Sequence, residues 1–203
     1  CAECVLDAPA GDGQQLRITR HALAHRVPSH AFRIASTHTQ VRLRTAKLRA
    51  LGLPAGPLWG ALQRGEAVEH AGQTLQPADW CDTVQTTLAA VIGGDNAQAT
   101  LLTEACAGAQ LLVHEATFTR EMLAKVGPGP MHSAAGDVAA FAQAIGLPNL
   151  ILTHFSARLD ADDGLQALRT EVDAAYRGQV WLAHDGAQFT LGDDGQVKLD
   201  QTD

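Results

Sequence analysis

Long apolar runs are missing from this 203-residue chain, and no basic-then-apolar leader is visible, so the sequence directs nothing into or across a membrane. Cysteine is scarce as well. Cys1, Cys4, Cys81 and Cys106 are too scattered for a disulfide framework, and the expected compartment is the reducing cytoplasm. Cys1-x-x-Cys4 has zinc-knuckle spacing, but no second pair follows; a chance pair at a chain end, or a lipidated terminal Cys, suits it equally. Charged residues are only 18 % against 46 % hydrophobic, which excludes disorder and suffices for one packed core. An initiating Met is absent too, which reads either as processing or as a piece of something longer.

One absence is local. Between Gly13 and Gly65 there is no Asp or Glu, yet the stretch holds nine of the fifteen bases, in a chain of net charge −7. Such a block suits a face that meets a polyanion. It also suits a solvated basic face balanced by acidic neighbours in the fold.

Strands and helices alternate along what is there. Residues 15–20 and 31–36 read as strands, and 40–51 as a helix with Val41, Leu43, Leu48 and Leu51 apolar. Gly52-Leu-Pro-Ala-Gly-Pro57 then forms a stiff bend, because each proline fixes its own φ and restricts the residue before it. A short helix at 58–63 follows. Beyond Trp80 the pattern becomes plainly α/β, with strands at 88–92, 110–113, 149–152 and 180–183. Helices are expected at 97–107, 119–125 and 165–176, and another, capped by Ser133, runs through Val138, Phe141, Ala142 and Ile145. Residues 187–191 and 196–199 read as closing strands.

Three successive buried strands finish on polar residues: Asp95, then His114-Glu115, then His154. In layered α/β folds such ends gather at one rim, where carboxylates and imidazoles can make a metal site with oxygen and nitrogen ligands. Taken singly, each has a plainer reading: an Asp after Gly-Gly as a turn or cap, a His after a strand as a hydrogen-bonded histidine.

In order along the chain, Leu111-Leu-Val-His-Glu-Ala-Thr-Phe118, His132-Ser-Ala-Ala135 and Leu150-Ile-Leu-Thr-His-Phe-Ser-Ala-Arg158 closely resemble ribonuclease Z. That family comprises transfer-RNA 3′-processing endonucleases of the metallo-β-lactamase fold. Leu23-Ala-His-Arg-Val-Pro28 with Ala31-Phe-Arg-Ile34 resembles its third histidine motif. Gly94-Asp95 resembles the motif of its bridging carboxylate. Leu51-Gly-Leu-Pro-Ala-Gly-Pro-Leu-Trp-Gly60 resembles its substrate-clamping arm.

The resemblance implies an α/β fold, a metallo-β-lactamase-like αββα sandwich, with residues 1–203 its C-terminal portion and 37–80 an inserted arm. It implies that His25, Asp95 and His154 hold two zinc ions, Asp95 bridging them. His132 and Glu115 then form a catalytic pair beside the scissile phosphate. Precursor transfer RNA is the implied partner, and Arg42, Arg44, Lys47, Arg49, Gly52, Pro54, Gly56, Pro57 and Arg158 the implied RNA contacts. The four bases from Arg42 to Arg49 are expected on one helix. A homodimer, one subunit's arm serving the other's site, is implied as well.

The family's His-x-His-x-Asp-His signature has no counterpart, since no two of the nine histidines are spaced i, i+2. The expectation is therefore the C-terminal two-thirds of such a protein, without its first sheet, inactive and poorly folded when isolated. Asn96 in place of a Thr, Ala134 in place of Thr or Ser, and Leu159 in place of Tyr are expected to loosen the ligands' supports. A hydrolase of small phosphodiesters or sulfate esters, and a non-catalytic RNA-binding remnant, are the alternatives. The arm weighs against the first.

Overall fold

The apolar β-branched and leucine runs after Trp80 place most of the core in one sheet. The computed structural model describes residues 3–11, 13–159 and 163–200, so the spacing that begins at Cys1 lies outside the described residues. The strands are β1 (Glu3–Gly11), β2 (Gln14–Ala22), β3 (His30–Leu43), β4 (Val68–His70), β5 (Gln73–Leu75), β6 (Cys81–Ile92), β7 (Leu111–Glu115), β8 (Asn149–Thr153), β9 (Gln179–Leu182), β10 (Gln188–Leu191) and β11 (Val197–Asp200). The helices are α1 (Thr45–Ala50), α2 (Pro57–Gln63), α3 (Pro77–Trp80), α4 (Arg120–Val126), α5 (Ala135–Ala144) and α6 (Gly164–Ala175). Seven strands form one sheet in the order β1-β2-β3-β6-β7-β8-β9.

The chain divides into two compact units. The first comprises residues 1–8, 16–36 and 88–203. Within it β6, β7, β8 and β9 are mutually parallel, Val91 opposite Leu112, Leu112 opposite Leu150 and Leu150 opposite Val180. Parallel strands end at one edge, so Asp95, Glu115 and His154 come out on the same rim, as the polar strand ends suggest.

Alternation along the strands separates two faces. Ala31, Ala89, Val91, Leu112, Leu150 and Leu152 point to the core that also takes Val138, Phe141 and Ala142 of α5 and Leu168 and Val172 of α6. On the other face Leu111 and Ile151 pack with Val197 of the β10–β11 hairpin. Phe32, Ile34 and Ile92 are left 37–39 % exposed on that second face. Large apolar side chains set side by side in the open mark a surface built to be covered.

The second unit, residues 9–15 and 37–87, has its own small core of Leu48, Leu53, Leu62, Val68 and Leu75. The expected helix at 40–51 is corrected here. Residues 40–43 continue β3, because Val41 and Leu43 alternate at the strand period, and α1 starts only at Thr45. Gly52 turns the chain at φ 82°, and Pro57 opens α2 as its first residue. Pro54 to Leu58 are exposed.

Two further expectations fail. Residues 97–107 form only a 3-10 turn, Ala99–Leu102, followed by turns, with Leu101 and Thr103 bonding three residues back. Helix propensity yields there to the burial of Ala99, Leu102, Ala105, Cys106 and Ala109. Ser133 is not a cap: its hydroxyl donates to the Asn96 carbonyl at 2.5 Å, and the cap position is Ala134. The Gly136 N–H in the first turn of α5 instead finds the Glu171 carboxylate of α6, at 2.9 Å.

Candidate metal and catalytic site

Asp95 follows Gly93 and Gly94 directly off the end of β6. The Gly93 N–H bonds Val113 O and the Gly94 N–H bonds His30 O, which pins the turn between two strands. A Cβ on Gly94 would stand 2.8 Å from Ser29 Oγ, so only glycine fits. His25 sits in the loop between β2 and β3, closed by the Leu23 N–H on Ser29 O. Ala24 ties that loop to the Asp95 segment twice, through its N–H to Asn96 Oδ1 and its carbonyl to the Ala97 N–H.

Both flanking histidines turn a bare nitrogen to the same carboxylate. His25 Nδ1 lies 3.0 Å from Met131 O, which only a protonated Nδ1 can satisfy. Thr117 Oγ1 donates to Glu115 Oε2 at 2.7 Å and accepts from His154 Nδ1 at 2.9 Å. In each neutral ring the proton is thus on Nδ1 and the lone pair on Nε2. His25 Nε2 faces Asp95 Oδ2 at 3.6 Å, and His154 Nε2 faces Asp95 Oδ1 at 3.6 Å. Lone pairs turned on a carboxylate at that range repel unless a cation stands among them. The donor set, two imidazoles and a two-oxygen carboxylate, fits zinc or another borderline divalent ion. His25, Asp95 and His132 also bring ligand atoms within 4.8 Å of one another.

Glu115, at the end of β7, is almost wholly buried and collects five donors. Oε1 accepts from the N–H groups of Asn96 and Ser133 and from His132 Nδ1 at 3.1 Å; Oε2 accepts from Thr117 N–H and Oγ1. His132 is therefore fixed in orientation, its ring centroid 5.0 Å from that of His25 and 5.0 Å from that of His154. Its loop is stitched to the β7 exit by Phe118 and Ala135. Met131 and His154 both hold φ near +58°, a conformation that costs a non-glycine residue roughly 1–3 kcal/mol and that clusters at functional sites.

His114 is a structural residue. Its Nδ1 bonds Glu115 O at 2.6 Å and its Nε2 takes Asn96 Nδ2 at 3.1 Å. Burial pushes the imidazole below its usual range, against the opposing pull of the Glu115 carbonyl and charge. The folded state thus refuses a proton that the unfolded chain accepts near pH 6.5, so stability is intact above that pH and is lost below it. Expected is a fall in Tm from about pH 7.5 to about pH 5.5 that is steeper in the parent than in His114→Gln. The slope reaches at most about 1.4 kcal/mol per pH unit.

Asn96 and Thr117 are functional positions that sequence reasoning passed over, although both adjoin named motif residues. The expected loosening at Asn96 is corrected. It is fully buried, and its side chain alone bonds the Ala24 N–H, the Gln98 N–H and His114. The cysteines bring no chemistry to this rim: burial pushes the Cys106 thiol up to about 12, and Cys81 lies in the second unit.

The basic residues are arranged otherwise than expected. Arg42 lies on β3, Arg44 just precedes α1, and only Lys47 and Arg49 are helical. Arg44 pairs with Asp82 at 2.6 Å, Lys47 reaches Asp79 O while lying 4.5 Å over the Trp80 ring, and Arg49 stands 6.0 Å from the Trp59 ring. Arg17, Arg20 and Arg64 are likewise paired, with Asp7, Glu3 and Glu66. Among the described residues Arg42, Lys47 and Arg49 carry no ion pair, so part of the acid-free block is neutralised and part is not. Arg158 is exposed in a 3-10 turn, Ala157–Leu159, four residues beyond His154.

Among the described residues no helix is long and apolar enough to cross a membrane. No family profile matches the chain. Among curated proteins it is similar to the ribonuclease Z of Pseudomonas putida strain GB-1, 41 % identical over 186 residues, 90 % of this chain. It is also similar to that of the archaeon Methanosarcina acetivorans, 35 % identical over 156 residues, 77 % of this chain and 50 % of the relative. The chain spans 58 % of the length of the Pseudomonas relative. The metallo-β-lactamase fold protein YhfI of Bacillus subtilis superposes with a TM-score of 0.52 at 18 % identity, covering 89 % of this chain and 51 % of that one. The fold is thus the metallo-β-lactamase fold, and the resemblance read from the histidine strings extends over nine-tenths of the chain.

Proposed function

We infer that this chain belongs to the ribonuclease Z family and is the C-terminal, site-bearing part of a metal-dependent endoribonuclease acting at the 3′ end of precursor transfer RNA. The observation that carries this reading is the pair of lone-pair nitrogens, His25 Nε2 and His154 Nε2, turned on opposite oxygens of Asp95 beside the Glu115–His132 pair.

His25, Asp95 and His154 would hold two ions, zinc by resemblance, with the carboxylate shared. Bound there, divalent ions neutralise a phosphodiester and make water nucleophilic near neutral pH. The residues do the remainder. Asp95 fixes the spacing of the two histidines, and Met131 O and Thr117 keep their tautomers ready for ligation. Glu115 orients His132 so that its Nε2 edge meets the leaving 3′-oxygen and supplies its proton. Three ligating residues are too few for two tightly held ions. The further ligands come from the remainder of the natural protein, whose second sheet covers the open face of Phe32, Ile34 and Ile92. The cellular setting is cytoplasmic and the assembly a homodimer.

Residues 37–80 serve as the substrate arm, with Gly52, Pro54, Gly56 and Pro57 setting its stiff, exposed bend. Arg42, Lys47 and Arg49, unpaired with acids, and Arg158 make phosphate contacts. Arg44 is bound to Asp82 and acts chiefly in holding the arm together. Replacing Arg42, Lys47 and Arg49 together by Gln is expected to weaken transfer-RNA binding. It should also flatten the slope of log affinity against log salt by about 2, at roughly 0.9 per phosphate lost. Unchanged affinity and slope in filter binding across a salt series would remove the arm from the account. The reading as a whole is tested by zinc-dependent cleavage of a precursor transfer RNA by the natural-length protein; absence of such cleavage overturns it.

A further inference from the structure

Beside His132 lies a cavity of about 470 Å³ that takes no part in the chemistry described so far. Its size falls within the range of about 300–1,000 Å³ usual for small-ligand sites. Leu123, Ala124, Pro128 and Met131 make apolar walls, while Arg120 and Asp137 stand at its polar edge. His132 is the residue that the cavity and the catalytic rim share; His25, Asp95 and His154 do not line it.

The polar edge is preset. Arg120 Nε donates to Asp137 Oδ1 at 2.7 Å and its Nη2 donates to Gly136 O at 2.8 Å. Its backbone N–H is held by Glu171 at 3.0 Å, and the same carboxylate takes the Gly136 N–H at 2.9 Å. A Cβ on Gly136 would come within 2.9 Å of both Glu171 and Arg120, so glycine is what lets the three close up. Arg120 Nη1 and Asp137 Oδ2 take no bond among the described residues. They leave a fixed donor next to a fixed acceptor above an apolar floor.

A phosphate does not suit that arrangement, because Asp137 would repel it. A nucleobase does: flat, apolar on its faces, with donors and acceptors along its edge. We propose that the cavity seats the base of the nucleotide whose 3′-oxygen leaves, its faces against Leu123, Pro128 and Met131 and its edge on Arg120 and Asp137. The side of the cut follows from His132, which borders the cavity and is assigned to the leaving oxygen; this rests on the endonuclease reading above.

The test uses the natural-length protein labelled at its methionine methyls, the Met131 signal being identified by its loss in Met131→Leu. Nucleoside 5′-monophosphates are expected to shift that signal and ribose 5-phosphate is not. Ala124→Trp, at an exposed helical position that fills the cavity, should abolish the shift. In cleavage assays with the base at that nucleotide varied, the parent should show a preference that Ala124→Trp flattens by about tenfold. A shift by ribose 5-phosphate equal to that by nucleotides, or one that persists in Ala124→Trp, overturns the proposal. Binding of nucleotides here by a protein that cuts no RNA would instead sustain the pocket and overturn the endonuclease reading.

Discussion

His132→Ala is expected to lower turnover on precursor transfer RNA by about 10²–10⁴-fold, the usual contribution of a positioned acid or base. RNA affinity should stay close to that of the parent, because His132 is half-buried behind the rim and belongs to neither the arm nor the ligand set. His132→Gln keeps a hydrogen-bond donor toward Glu115 but has no proton to pass on, and should fall as far. Equal losses in kcat and in binding would show that the residue merely ties its loop. Single-turnover rates beside equilibrium binding separate the two outcomes.

Asp95→Asn should be more damaging still. Altering residues that only support metal ligands costs about 10–100-fold, so removing the one carboxylate faced by both imidazoles is expected to cost more than about 100-fold in kcat/KM. The amide is nearly isosteric, so the Gly93-Gly94 turn and its bonds to Val113 and His30 are retained. Folding should therefore survive, which circular dichroism checks, and excess zinc should restore activity only in part. Full activity in Asp95→Asn would exclude the shared-carboxylate site.

Much of this rim is legible in the sequence because parallel strands impose it. Short apolar runs at 110–113 and 149–152, each followed by a polar residue, are enough to place Glu115 and His154 at neighbouring strand ends. Asp95 follows from its glycines, which a tight exit between β3 and β7 demands. What is hidden is what depends on partners remote in sequence. Nothing local announces that Glu171 satisfies the first turn of α5, so Ser133 looks like a cap. Nor does anything local show that Asn96 joins the His25 loop to His114. Val41 and Leu43 fit a helix face as well as a strand face, and only pairing within the sheet decides between them. The charge map misleads for the same reason: Asp82 lies far along the chain from Arg44 yet holds it at 2.6 Å.

Metal content measures the central claim most directly. Elemental analysis of the natural-length protein, purified without chelators, is predicted to give about two zinc ions per chain in the parent. His25→Ala and His154→Ala should each lose about one, and Asp95→Asn should weaken both. Undiminished zinc in all three variants would contradict the account, since the ions would then be held by other residues and the convergence on Asp95 would have no chemical purpose.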